Sequence, residues 1–202
     1  MIKTRKTLPC WPNNNMDLPD KKYHIIYADP PWHYSDSQKR NGIGARGHYR
    51  LLKTPDICKI PVRDISEDDA MLFIWGTWPC LPDCLSVIDA WGFSYKTIGF
   101  LWVKTKKHDQ RIPTARGTGF YTRPNTEFCL IGRRGRRIVS DCAVSSVVMT
   151  PITRHSKKPP IVRKNIVQLC GDVSRIELFA RPENMLIDVE YYDGWDFWGN
   201  EV

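Results

Sequence analysis

An aspartate followed by two prolines and a tryptophan, Asp29-Pro30-Pro31-Trp32, closes the apolar run from Tyr23 to Ala28. These residue types suit the activation of an aryl amine. The amine of adenine is a poor nucleophile, because its lone pair is delocalised into the ring. A catalyst therefore has to accept both N–H hydrogens and favour the pyramidal nitrogen. An ionised Asp29 supplies one strong acceptor. The carbonyl of Pro30 is a candidate for the second, held in place beforehand because the two prolines fix φ at about −65°. Trp32 offers a face for a stacked base, worth roughly 1–3 kcal/mol against the few kcal/mol needed to extrude a base from a helix. The competing reading makes Asp29-Pro30-Pro31 a rigid turn and Trp32 a core residue.

Around this motif the chain is basic. Thirty Lys and Arg stand against 22 Asp and Glu, a formal charge of +8, which makes a polyanion a natural partner. The charge gathers in runs: Lys39-Arg40 with Arg46 and Arg50, Lys104 to Arg116, Arg133-Arg134-Gly135-Arg136-Arg137, and Arg154 to Lys164. Any one run reads equally well as a solvated face; several around one site point to phosphate contacts. The candidate nucleic-acid contacts are Arg40, Arg46, Lys104, Lys106, Lys107, Arg116, Arg133, Arg134, Arg136 and Arg137. His24, His33, His48, His108 and His155 have no metal-ligand spacing, and Cys80 and Cys84 lack a second pair downstream, so no metal site is expected. The odd number of cysteines, 7, and a start without an apolar run argue for reduced thiols and a cytoplasmic protein. No stretch approaches the roughly 20 apolar residues of a membrane span.

The elements that must hold the motif follow from periodicity. Residues 1–20 read as an irregular lead-in, with Pro9, Pro12 and Pro19, and residues 21–202 as one domain. Tyr23 to Ala28, Met71 to Thr77, Tyr95 to Lys104, Thr126 to Gly132 and Arg175 to Ala180 read as strands. Leu81, Leu85 and Ile88 fall at helical spacing with Gly92 as a stop. A second helix opens at Pro159-Pro160 and runs through Cys170 to Gly171. Trp32 to Tyr49 and Thr105 to Gly119 read as loops over a site. Strand and helix alternate, so the expected class is α/β, a mainly parallel sheet with helices on both faces and the ligand beyond the strand C-termini.

The sequence resembles the MT-A70-like adenine-N6 methyltransferases from about residue 21 to 202. The resemblance rests on Ala28-Asp29-Pro30-Pro31-Trp32, Phe73-Ile74-Trp75, Leu101-Trp102-Val103-Lys104-Thr105, and Gly117-Thr118-Gly119 leading to Glu127-Phe128-Cys129-Leu130. It continues through His155-Ser156-Lys157-Lys158-Pro159, Ile176-Glu177-Leu178-Phe179-Ala180-Arg181 and Gly194-Trp195 to Gly199-Asn200. It implies a seven-stranded Rossmann-like sheet that binds S-adenosylmethionine, with Asp29 as catalytic residue and cofactor contact. Lys158, Arg181, Asn184 and Asn200 match further cofactor-holding positions. Departures are Glu183 and Glu201, where relatives carry His and Gln.

The expected substrate is adenine in nucleic acid, because the Asp start and Trp end favour adenine over cytosine or protein glutamine; DNA is expected before RNA because the chain is compact and shows no appended RNA-binding module such as a zinc knuckle. The alternative is an inactive methyltransferase-like subunit that binds nucleic acid or acts as a scaffold. A homodimer, or a heterodimer with a related subunit, is compatible with the family.

Overall fold

The computed structural model describes residues 18–33, 51–107, 109, 111–113, 121–153, 157–180 and 189–199. Within them lie β1 (Tyr23–Ala28), α1 (Thr54–Cys58), β2 (Ser66–Gly76), α2 (Leu81–Ala90), β3 (Ser94–Thr105), β4 (Thr126–Arg134), β5 (Val147–Pro151), α3 (Ile161–Cys170), β6 (Arg175–Leu178) and β7 (Asp196–Trp198). The strands form one 7-stranded sheet in the order β5-β3-β4-β2-β1-β6-β7. β1 pairs in parallel with β2 and β6, β6 with β7, and β3 with β5. β4 alone runs antiparallel, between β2 and β3. The α/β class with a mainly parallel sheet is therefore as the sequence led us to expect. Among the described residues no helix is long and apolar enough to cross a membrane.

The central strands are buried on both faces, which is why they read as unbroken apolar runs and not as alternating patterns. Ile26, Ala28, Leu72 and Ile74 pack on one side with Ile57 of α1 and with Val87 and Ile88 of α2. Ile25, Tyr27, Phe73 and Trp75 pack on the other with Val162 and Ile166 of α3. A buried ion pair ties α3 to the sheet: Arg163 donates to both oxygens of Glu177 at 2.6 Å each. Its guanidinium lies 5.3 Å from the Tyr27 ring and 4.2 Å from that of Tyr192. Gly171, with φ +82, ends α3 where the sequence placed its stop.

Some expectations need correction. The inner face of α2 is Cys84, Val87 and Ile88, with Trp91 beyond it, while Leu85 is exposed. Cys80, Cys84, Val87 and Trp91 shift the centre of the buried stripe away from Leu85. β2 starts at Ser66, not Met71, because the acidic residues before the apolar run continue the strand and meet arginines. α1, β5 and β7 leave no periodic signal in the sequence. With 5, 5 and 3 residues they are too short for either period to show.

Candidate functional site

All strands but β4 end at one edge of the sheet, and β4, being antiparallel, brings its first residues Thr126 and Glu127 to that same edge. β1 and β6 are neighbours there. The chain leaves β1 for α1 on one face, whereas α3 enters β6 from the other. Lys158, just ahead of α3, meets Asp29 at this edge, and in open α/β sheets ligands sit in the crevice beyond the strand C-termini. Asp29 stands on its rim.

The peptide after Asp29 is held tightly. The backbone N–H of Trp32 donates to the Pro30 carbonyl at 2.9 Å, and that of Leu52 to the Pro31 carbonyl at 2.8 Å. The His33 N–H donates to the Leu52 carbonyl at 3.1 Å, so Pro31 to His33 and Leu52 zip together across residues 34–50. A carbonyl oxygen has two lone pairs, and the turn to Trp32 uses one on Pro30.

Lys158 precedes α3 and reaches across the crevice. Its ammonium contacts the two oxygens of Asp29 at 2.7 and 2.8 Å and lies 3.5 Å from Glu127. The other Glu127 oxygen meets Lys104 at 2.5 Å. Lys158 also sits 5.7 Å over the Trp75 ring, and Lys104 lies 5.1 Å over that of Trp102. The side chains of Asp29, Glu127, Lys158 and Lys104 are only 10–20% exposed. The result is a half-buried, charge-balanced chain of two carboxylates and two ammonium groups. Burial raises the pKa of Glu127, but the ammonium groups of Lys158 and Lys104 outweigh it and hold the carboxyl below its ordinary value.

Asp29, Pro30 and Lys158 are thus brought to one place. Glu127 joins them and was not singled out from the sequence as a site residue; the signal was an acidic residue at the start of an otherwise apolar strand. Three expectations are corrected by placement. Trp32 is 5% exposed, packed in the core with its indole N–H donating to the Trp75 carbonyl at 2.9 Å, so its face is not open to a base. Lys104, expected to contact phosphate, is an internal counter-ion to Glu127.

The third correction concerns the run Arg133 to Arg137, which lies at the opposite edge of the sheet. Arg133 and Arg134 pair with Met71 and Ala70 at the far end of β2, about 20 Å from Glu127 at ~3.3 Å per strand residue. There Arg134 pairs with Asp68 at 3.5 Å and Arg136 with Asp69 at 2.8 Å, and Arg137 is exposed beyond them. Lys106 and Lys107 are exposed just past the end of β3, on the same edge as Asp29. Arg40, Arg46, Arg116, Arg181, Asn184 and Asn200 lie outside the described residues.

A family model described as MT-A70 matches residues 23–201. The chain is 32% identical over 203 residues to the Type II methyltransferase M.MunI of Mycoplasma sp, covering 92% of this chain and 80% of that one. It is 30% identical over 171 residues to the N(6)-adenosine-methyltransferase subunit METTL3 of Danio rerio, covering 81% of this chain and 26% of that one. A probable N(6)-adenosine-methyltransferase MT-A70-like protein of Oryza sativa subsp. japonica is 26% identical over 190 residues, covering 94% of this chain and 24% of its own.

Proposed function

The chain belongs to the MT-A70 family of methyltransferases, and on that premise we propose that it transfers a methyl group from S-adenosylmethionine to the exocyclic N6 amine of adenine in DNA. The observation that carries the reading is the Asp29 carboxylate at the end of β1, held at both oxygens by Lys158. DNA is proposed before RNA because the relative matched over most of both lengths is the type II methyltransferase, while the two adenosine-methyltransferases match through about a quarter of theirs. We further propose the cytoplasm as its compartment, where a nucleic-acid substrate and free thiols such as those of the described cysteines occur together. The strand order and the single antiparallel strand support a Rossmann-like arrangement.

The residues present fit the cofactor. The crevice offers a carboxylate and an ammonium group side by side, suited to the α-amino and α-carboxyl groups of its methionine end. Lys158 and Asp29 would hold that end, with Arg181, Asn184 and Asn200 assigned to the remainder by family likeness. When bound, S-adenosylmethionine supplies an electrophilic methyl group on sulfonium sulfur.

The chain's own part is to prepare the amine. Asp29 accepts one N–H hydrogen and the Pro30 carbonyl, with one lone pair to spare, accepts the other. An amine held by two acceptors off the plane of its ring is drawn towards the pyramidal form that frees its lone pair. Asp29 is also placed to take the proton that the amine nitrogen must lose on accepting a methyl group. Lys158 restrains the carboxylate so that little reorganisation is needed during transfer.

The test is to supply methyl-labelled S-adenosylmethionine with DNA and RNA oligonucleotides of matched sequence, with and without adenine. Label should enter adenine-containing DNA. Label in neither polymer would refute the activity, and label in RNA alone would reverse the choice of polymer.

A further inference from the structure

Trp78 stands where β2 ends, in the short 3-10 turn Trp78–Cys80. It is 44% exposed, whereas the Trp32 face first suggested for stacking is buried. Its indole is nevertheless fixed. The ring N–H donates to Thr126 Oγ1 at 2.8 Å, and the ring meets Phe128 at 5.2 Å between centroids and 65° between planes. Gly76 allows this seat, because a Cβ there would come within 2.7 Å of Phe128 and also strike Cys84. The donor is satisfied and the ring is braced, yet much of the indole surface faces solvent.

Position and bracing together set Trp78 apart from the other exposed aromatic residues among those described: Tyr121, ahead of β4, has its side chain wholly exposed, whereas the Trp78 indole is bonded and packed. Tyr95, 47% exposed, starts β3 and so belongs to the far edge. Trp78 sits on the edge that carries Asp29, bonded to the residue immediately before Glu127. Ala28 is level with Ile74, so Trp78 is about three residues past the level of Asp29, roughly 10 Å at strand rise. On the same edge, the Lys104 N–H donates to the Asn125 carbonyl at 2.8 Å, and past the end of β3 the chain continues to the exposed Lys106 and Lys107. A fixed aromatic face on the same sheet edge as exposed cationic side chains is the combination that holds single-stranded nucleic acid.

We propose that Trp78 is a stacking platform for an unpaired nucleobase flanking the target adenine, with Lys106 and Lys107 meeting the adjoining phosphates. The inference rests on the proposed function, since it supposes a nucleic-acid substrate. Because the indole is already immobilised, stacking on it costs little side-chain entropy. The contact is indifferent to base identity, as every base has a π-face.

Fluorescence anisotropy with a labelled single-stranded DNA containing one adenine tests it, together with the same strand made abasic at each flanking position in turn. Trp78→Ala should weaken binding by about tenfold or more, while Trp78→Phe should stay within about threefold of the parent. One flanking abasic site should weaken the parent protein by a similar factor and leave Trp78→Ala almost unaffected. Calorimetric affinity for S-adenosylmethionine alone should be the same in the parent and both variants. Unchanged DNA affinity in Trp78→Ala would overturn the inference. So would an abasic scan of the parent with no sensitive flanking position, a result that does not depend on the variant folding. A parent protein that neither binds nor methylates any oligonucleotide would fell the proposed function itself.

Discussion

Lys158 touches both carboxylates of the site, closely at Asp29 and at longer range at Glu127, so removing one partner leaves another charge half-buried and unbalanced. For Glu127 the sign of the pH effect is fixed. Its folded pKa is depressed, so its stabilising contribution is complete above the ordinary carboxyl value and is lost as pH falls through the lower, folded one. The stability gap between the parent and Glu127→Gln should be widest near neutral pH and shrink as pH is lowered below about 4.5. Urea titrations from pH 7 to pH 3 would show it, and a gap that does not vary with pH would remove Glu127 from the ion-paired network. At this scale Asp29 and Pro30 are readable because their types carry chemistry at a strand end, whereas Lys158, a charge ahead of a helix, is pointed to only by the family likeness. The burial of Trp32 and the pairing of Lys104 are not readable, since both depend on neighbours far along the chain, Trp75 and Glu127.

The elements that hold these residues were mostly readable where burial repeats, as in β1 and α3. They were unreadable where an element is too short for a period, as in β7. The joint between α3 and β6 came from neither source. Arg163 and Glu177 look like ordinary surface charges in sequence, yet their side chains are 5% and 7% exposed. Breaking a buried pair on one side strands the other charge, at about 3–5 kcal/mol. Arg163→Ala should therefore lower the unfolding free energy by that amount in urea, and the double change Arg163→Met with Glu177→Leu should recover most of the loss. A single variant as stable as the parent would show that the pair does not fasten α3. Gly76→Ala should cost about 1–3 kcal/mol by overpacking, read from the same titration, because Phe128 and Cys84 occupy the space beside it.

Taken whole, the molecule carries its formal +8 unevenly, and the sheet sorts the basic runs that sequence reading had grouped around one site. Lys106 and Lys107 share the edge with Asp29; Arg133 to Arg137 face away, partly neutralised by Asp68 and Asp69. In affinity measured against salt on duplex DNA, Lys106→Gln with Lys107→Gln should flatten the log–log slope by about 1.8, or ~0.9 per phosphate contact. The fourfold Arg133, Arg134, Arg136 and Arg137→Gln variant should keep the parent's slope. The reverse pattern would move the nucleic-acid track to the far edge. The central claim is narrower than this track: the Asp29 carboxylate activates an adenine amine. Losing one charge-assisted acceptor costs about 1.5–3 kcal/mol, roughly tenfold to a hundredfold in rate, before any larger effect confined to the transition state. The direct measurement is mass-spectrometric identification of the methylated nucleoside formed from adenine-containing DNA by the parent and by Asp29→Asn at equal thermal stability. The expected result is N6-methyladenine from the parent and at least a tenfold lower yield rate from the variant; methylation of another base, or a variant within threefold of the parent, would contradict it.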